Sequence, residues 1–398
     1  MPVTVTENVS WFSRLKNSFF GFLFSFVLIA AGIWLLAWNE HRTLQNFEGL
    51  AAAGRTVVDT VADRVDPTIQ GKLVHVSGKV TSEQSVVDED FGVEAPALVL
   101  KRSVQMYQWK EKEETHEREK LGGGKERVTT YRYEKVWDNE PIDSDGFRES
   151  GHSNPGRMDY RDARFQVDDA HLGAWRADET ILGALSGSAL TLAESGNYPS
   201  GFRLVDASML YRGNNPSAPQ IGDLRIQYTA VPAQAASLVA QADGEGFKAW
   251  TSPVGTEIYL VESGSKTAAA LVASAQSTNS MVGWLLRLVG FVMLWVAFGL
   301  MLNPLRTLAA VLPFLARIVG ALSGFVAFLL AAVVAVVTIA IAWLAVRPVL
   351  SVSLIAAAIA VAWLLKRYRQ PAPAPAAAAP FMAPPPMGPP PGPPPPPR

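Results

Sequence analysis

The residues that could do chemistry are few and badly spaced for it. There are five histidines, His41, His75, His116, His152 and His171. No two stand at metal-ligand spacing on one helix, and no His-Glu-x-x-His occurs, so a zinc or iron site would need unrelated loops to converge. Cysteine is absent, which removes disulfides, thiolate metal sites and a cysteine nucleophile. Gly122–Lys125 lacks the spacing and the following Ser/Thr of a phosphate loop, and Gly183–Ser188 does not fit Gly-x-Ser-x-Gly. Acidic residues are plentiful, but no pattern pairs two of them as acid and base. An enzyme acting on lipid or envelope material would have to use His152 with a nearby acid such as Asp159. The expectation is therefore a non-enzymatic protein with no cofactor and no metal. A net charge of -1 gives no basic field to recruit nucleic acid.

The elements around these residues are more informative. Met281–Leu365 is almost continuously apolar, interrupted at Asn303-Pro304-Leu305-Arg306 and at Arg347-Pro348. It divides into spans 281–302, 318–346 and 349–365, each near the roughly 17–25 residues needed to cross a bilayer core. A fourth span, 19–38, stands near the N-terminus. It is too long for a secretory signal core and no cleavage site follows, so it reads as an uncleaved anchor. The fold class expected is an α+β multi-pass membrane protein, with one N-terminal and three C-terminal transmembrane helices flanking a β-rich extracytoplasmic domain. Arg14 and Lys16, Arg306 and Arg317, and Lys366-Arg367-Tyr368-Arg369 all mark the cytoplasmic side. Residues 1–18 then form a cytoplasmic N-terminus, 39–280 the periplasmic or lumenal domain, and 366–398 a basic, then Pro-rich disordered cytoplasmic tail. Trp38, Trp284 and Trp343 fall at the outer interface and Trp363 at the inner one.

Within 39–280, Leu73–Val80 and Ala97–Met106 read as strands. Val104–Trp137 reads as a long β-hairpin whose arms flank the charge-rich Lys110–Lys120 and the tip Gly122-Gly123-Gly124. Both signs of charge alternate there, as on a solvated protrusion; a docking finger for a second copy or a partner is the sharper alternative. Tyr107, Trp109, Tyr131, Tyr133 and Trp137 crowd the arms, either as cross-strand packing pairs or as partner contacts. Leu172–Leu185 reads as a helix. Ile221–Val231, Ala236–Gln241, Phe247–Trp250 and Ile258–Val261 read as strands, with Asp243-Gly244-Glu245-Gly246 as a hairpin turn. Lys266–Ser277 is helix-prone and extends the second span outward as one long helix.

Arg287 is the one ionisable residue inside a span, near its outer end, where it can snorkel. Gly320 and Gly324 form a small-xxx-small face suited to close packing or self-association. The proline run of the tail offers a cytoplasmic protein a polyproline ligand.

Certain residues carry a resemblance. They are Trp38-Asn39-Glu40 with Arg42; Met106-Tyr107-Gln108-Trp109; Tyr131, Tyr133 and Trp137; Ile142, Ser144 and Phe147; Gly151-His152 with Asn154-Pro155; Asn215-Pro216 with Gly222-Asp223-Leu224-Arg225; and Arg347-Pro348. In this order, with one span before a large domain and three after, the chain resembles the LUMA family, also called transmembrane protein 43. The Pro-rich tail and the Gly-rich hairpin tip depart from that pattern. The resemblance implies a membrane protein with a large lumenal or periplasmic domain. Animal members reside in the endoplasmic reticulum and inner nuclear membrane, with emerin and lamins as partners. The Ala-rich, cysteine-free composition here looks bacterial, which implies a bacterial inner membrane and no lamina. The 39–280 domain is also similar, at Val76-Ser77-Gly78-Lys79-Val80, to the membrane-side domain of the mitochondrial ubiquitin-ligase family called GIDE. Without RING cysteines, ligase activity is excluded.

The function expected is an oligomeric membrane scaffold that organises membrane proteins or lipids, embedded in the lipid bilayer and associating with copies of itself and with other membrane proteins. A channel or channel subunit is the alternative.

Overall fold

The computed structural model describes residues 3–194, 196–346, 356, 360 and 363. The expected span 349–365 and the Pro-rich tail lie outside the described residues, apart from those three single positions. The chain divides at Ala342/Trp343, and both sheets and nearly all of the described helices belong to the first unit.

Helix α1, Trp11–Thr56, is one element of 46 residues, about 69 Å long. Ser10 caps it, accepting a hydrogen bond from the Ser13 N–H at 3.2 Å, and no proline interrupts it. A hydrocarbon core is about 30 Å thick, so the span accounts for under half of the helix. The remainder carries Leu50 and Ala53 into the domain, where they are buried with Leu73, Val239, Ile258, Leu271 and Val272. Leu271 and Val272 belong to α3, Ala268–Ala309, capped by Thr267. The expected outward extension of the second span is present: domain and membrane segment share one unbroken helix.

Two sheets make the domain. In the first, the order is Val3–Val9, Lys125–Asp138, Val99–Glu119, Leu224–Val231, Met209–Arg212 and Phe202–Asp206. The second is built on Leu73–Thr81 paired antiparallel with Gln234–Asp243, Leu238 facing Val76. Val58–Val61 lies parallel to Leu73–Thr81. One core joins both sheets, with Val104, Leu224 and Ile226 from the first and Val76, Leu238 and Ala240 from the second, around Phe91, Trp175 and Tyr228. Inside it Arg102 reaches Asp88 at 2.8 Å, and Asp88 also accepts from the Tyr228 hydroxyl at 2.7 Å. Burial and that carboxylate push the Tyr228 phenol well above its usual range. The expected turn at Asp243–Gly246 is a two-residue loop with Gly244 at φ +60° and the pair Asp243↔Gly246 closing it.

Four expectations are corrected. Ile258–Val261 is not one strand: Glu257–Ile258 pairs with Trp250–Thr251 and Leu260–Ser263 with Gln234–Asp243. Leu172–Leu185 is not one helix. His171–Leu172 and Trp175–Arg176 form a small hairpin, and only Glu179–Ala184 (α2) is helical. Gly173 decides this: its φ is +63°, and a Cβ there would meet the Ala62 carbonyl oxygen at 2.4 Å, so the chain turns where a helix would have to continue. Phe247–Trp250 is not one strand either. Gly246–Lys248 pairs with Gln234–Asp243, whereas Trp250–Thr251 pairs with Glu257–Ile258. Finally, the helix that carries the second span does not end at Asn303-Pro304. Pro304 lies inside α3; the helix runs on to Ala309, and the break falls just before Pro313, which opens α4, Pro313–Val346. A proline at the first position of a helix has no N–H to leave unpaired, and α4 starts where that is satisfied.

The hairpin base, the helix seam and the hairpin tip

Most of the domain residues that carry the family resemblance gather at one place, the base of the long hairpin. Its arms, Val99–Glu119 and Lys125–Asp138, stay in register from Met106↔Asp138 to Glu119↔Lys125. The loop 140–158 folds onto one face. Asn154 fixes it: its Oδ1 accepts from the Trp109 N–H at 2.7 Å, and its Nδ2 donates to the carbonyls of Trp109 at 2.9 Å and Ile142 at 3.1 Å. The Ser144 hydroxyl accepts from the Asn154 N–H at 2.9 Å. His152 stacks on Tyr133 at 3.9 Å between centroids and meets Trp109 edge-on at 4.6 Å. Phe147 extends the column past Tyr133, and Lys135 covers Trp109. The Tyr133 hydroxyl donates to Glu111 and accepts from the Glu149 N–H. Desolvation and that carboxylate raise the Tyr133 phenol above its ordinary value.

Further along the same face Tyr107 packs on Trp137 at 5.1 Å, and Arg225 lies over Trp137 at 4.5 Å. Arg148 covers Tyr131. Gly222 and Asp223 close the base through backbone bonds to Tyr107, both at 2.9 Å. The five aromatic residues singled out from sequence thus all have partners within this chain. His152 and Asp159 are not brought together. His152 Nδ1 is enclosed with no hydrogen-bond partner, while Asp159 receives Arg212 at 2.8 Å. A proton relay through His152 would need a partner that the geometry does not supply. Among the described residues no group of three or more His, Asp or Glu side chains could hold a metal ion.

The second feature is the α1–α3 seam. Leu36 lies on Gly290, where a Cβ would come 2.6 Å from Leu36 Cδ2; Leu294 lies on Gly32, where a Cβ would come 3.0 Å from Leu294 Cδ2. Each helix offers a glycine to the other's leucine, and both leucines are fully buried. Toward the domain the seam turns polar. Asn39 Nδ2 donates to the Gly283 carbonyl at 3.0 Å, Asn279 Nδ2 to the Thr43 carbonyl at 2.8 Å, and Arg287 grips Glu40 with two bonds. Arg287 therefore does not only snorkel; it has a carboxylate partner on α1. Sequence reasoning missed this because the pair is separated by 247 residues. Trp38 with Arg42 and Trp284 with Arg287 form cation–π pairs beside it, in keeping with an interfacial belt.

The Gly320/Gly324 face is turned to α3. A Cβ on Gly320 would meet Arg306 Nε at 3.1 Å, and the Gly324 carbonyl accepts from Trp295 Nε1 at 3.3 Å. Ala327, Ala331 and Ala335 continue the stripe, buried with Leu294 and Phe298. Nothing lies within 4 Å of a Cβ built on Gly324.

The third feature is the hairpin tip. The N-terminal segment, expected as a short polar lead-in, contains the strand Val3–Val9, which pairs with the second arm from Val3↔Tyr131 to Val9↔Lys125. The tip meets the start of α1 and the α3–α4 turn. Gly122 N–H donates to the Val311 carbonyl at 3.3 Å, Trp11 Nε1 to the Thr307 carbonyl at 2.9 Å, and Arg14 pairs with Glu119 at 3.3 Å. Gly123 has φ +82°, and a Cβ on it would strike Trp11 at 2.3 Å. The Gly-rich tip is what lets the turn close against that indole.

The family model "Transmembrane protein 43" matches residues 106–348, from the hairpin base to the end of α4. Transmembrane protein 43 of Mus musculus and of Homo sapiens are each 28% identical over 386 residues, covering 94% of this chain and 96% of the relative. The Drosophila melanogaster homolog is 26% identical over 350 residues, covering 84% and 91%. No solved structure matches. Three helices among the described residues are long and apolar enough to cross a membrane. The chain is an integral membrane protein that belongs to the transmembrane protein 43 family, the LUMA family.

Proposed function

We propose that the protein is a non-enzymatic, oligomeric scaffold that organises protein or lipid assemblies in a membrane, with the body of residues 39–280 outside the cytoplasm (in a bacterium, in the periplasm) and the end of its hairpin reaching along α1 to the level of Arg14 and the α3–α4 turn. The observation that carries this reading is the locked α1–α3 pair. Both helices run without a break from the domain core into the apolar segment, and leucine-on-glycine contacts and the Glu40–Arg287 pair fix them to each other. A domain rooted in this way holds a set orientation to the bilayer, which a scaffold requires and a loosely tethered domain lacks. The apolar side of α4, with Leu322, Phe325, Val333, Val336 and Ile341 exposed, offers a surface to a second copy or another membrane protein.

The test is the mass of the complex extracted in native lipid particles. A single species of two or more copies, reduced by Phe325→Ala with Ile341→Ala on the exposed side of α4, supports the scaffold. A strictly monomeric protein in those particles and in mild detergent sinks it.

A channel or channel subunit is the second reading, and the hairpin favours it. The 14-residue second arm spans about 44 Å at ~3.4 Å per residue, and its tip meets the far ends of α1 and α3. Charges stand on both of its faces, so at that depth it requires water or protein around it rather than acyl chains. Ion flux across liposomes holding the purified protein separates the two readings.

A further inference from the structure

Arg306 and Arg317 flank the α3–α4 turn and face the hairpin tip across a cleft of about 460 Å³. Glu117, Arg118, Glu119 and Lys125 complete its lining. The two acids are already matched. Glu117 receives Lys125 at 2.7 Å and Arg127 at 2.9 Å, and Glu119 receives Arg14. Those bonds hold the Glu117 carboxyl below its usual range, the Lys125 bond first. The guanidinium groups of Arg118, Arg306 and Arg317 have no ion-pair or hydrogen-bond partner among the described residues. Three arginines without a partner line one concave space, and guanidinium forks fit phosphate oxygens in pairs.

The rim of the cleft says what else the ligand carries. Leu308, Val311, Leu312, Phe314 and Ile318 are all exposed around the same turn. Trp11 lies beside them with its indole N–H on Thr307, as an interfacial tryptophan does. A phosphate group at the arginines would therefore have an apolar surface directly next to it. Basic pockets at helix ends take anionic head groups in this way.

We propose that this cleft binds the phosphate of an anionic glycerophospholipid, with Arg306 and Arg317 as its principal ligands, Arg118 as the third, and the acyl chains lying over Phe314 and Ile318. The proposal stands whether or not the protein assembles into oligomers.

The test uses the full chain in nanodiscs of phosphatidylcholine doped with phosphatidylglycerol, read by native mass spectrometry as lipid retained per protein. Selective retention of phosphatidylglycerol is expected. Arg306→Gln with Arg317→Gln lowers it about tenfold or more, and Arg157→Gln, on a remote exposed side chain, leaves it unchanged. Arg118→Gln lies on an exposed strand and leaves the helices untouched; it lowers retention as well, which guards against misfolding of the double variant. Excess inorganic phosphate does not displace the lipid. Equal retention of the two lipids, or no change in the arginine variants, overturns the proposal. Displacement by inorganic phosphate alone also overturns it, and assigns the cleft to a free anion.

Discussion

The carboxylate of Glu40 and the guanidinium of Arg287 meet side-on, Oε1 to Nε at 2.6 Å and Oε2 to Nη2 at 2.7 Å. Glu40 is 4% exposed, so the pair is held where an isolated charge is costly. Removing either side breaks two charge-assisted hydrogen bonds at a buried carboxylate, and Glu40→Gln or Arg287→Met alone is expected to cost about 3 kcal/mol or more. The double variant should cost less than the sum of the two. Unfolding midpoints in detergent for the four members of this cycle check it.

The leucine-on-glycine contact predicts the opposite kind of failure. A methyl on Gly290 would sit 2.6 Å from Leu36 Cδ2, so Gly290→Ala pushes α1 and α3 apart. Overpacking of this kind costs about 1–3 kcal/mol. Leu36→Ala in the same chain should recover part of that loss, because it empties the space that the methyl needs. No recovery would mean that the helices do not meet at this pair in detergent.

The pairing of Val3–Val9 with the hairpin is open to a direct chemical check. The chain has no cysteine, so every thiol is an introduced one. Asn8→Cys with Glu126→Cys places two thiols at directly opposed residues and should give an intramolecular disulfide in membranes. Asn8→Cys with Glu134→Cys should give none. A disulfide in the second pair and not the first would refute the register.

Acid should loosen the tip. The Lys125 and Arg127 bonds depress the Glu117 carboxyl, so its contribution is fully present above the ordinary glutamate value of about 4.3. It is lost as the pH falls through the lower, folded value. Because both partners sit on the opposite arm, protection of the amides 117–127 against hydrogen exchange should fall only below about pH 4. Glu117→Gln should remove that pH dependence and leave the tip looser at all pH values.

What was legible in the sequence was whatever its neighbours along the chain determine. The apolar runs gave the helices. Alternation gave Leu73–Thr81 and the long hairpin, and Asp243–Gly246 announced its turn. Val3-Thr4-Val5-Thr6 also alternates β-branched and polar residues, a signal that would have marked the N-terminal strand. It is short and sits before a span, where a lead-in segment is the usual content. Pro304 misleads because a proline breaks a helix only where the lost bond and the ring clash cannot be absorbed. The contacts that define the candidate sites depend on distant residues: Asn154 on Trp109, Glu40 on Arg287, Gly122 on Val311. One sequence carries no record of those meetings.

The seam also sets a timetable for synthesis. Glu40 is made 247 residues before its partner Arg287, and ribosomes add roughly 5–20 residues per second, so the first helix waits roughly 12–50 s for its mate. Through that interval its carboxylate lacks Arg287 and Leu36 lacks the surface of Gly290, and the core around Leu50 and Ala53 lacks Leu271 and Val272. The domain therefore cannot complete itself until the residues of α3 have been made. Its folding is tied to the arrival of the second membrane helix, not to the end of its own sheets.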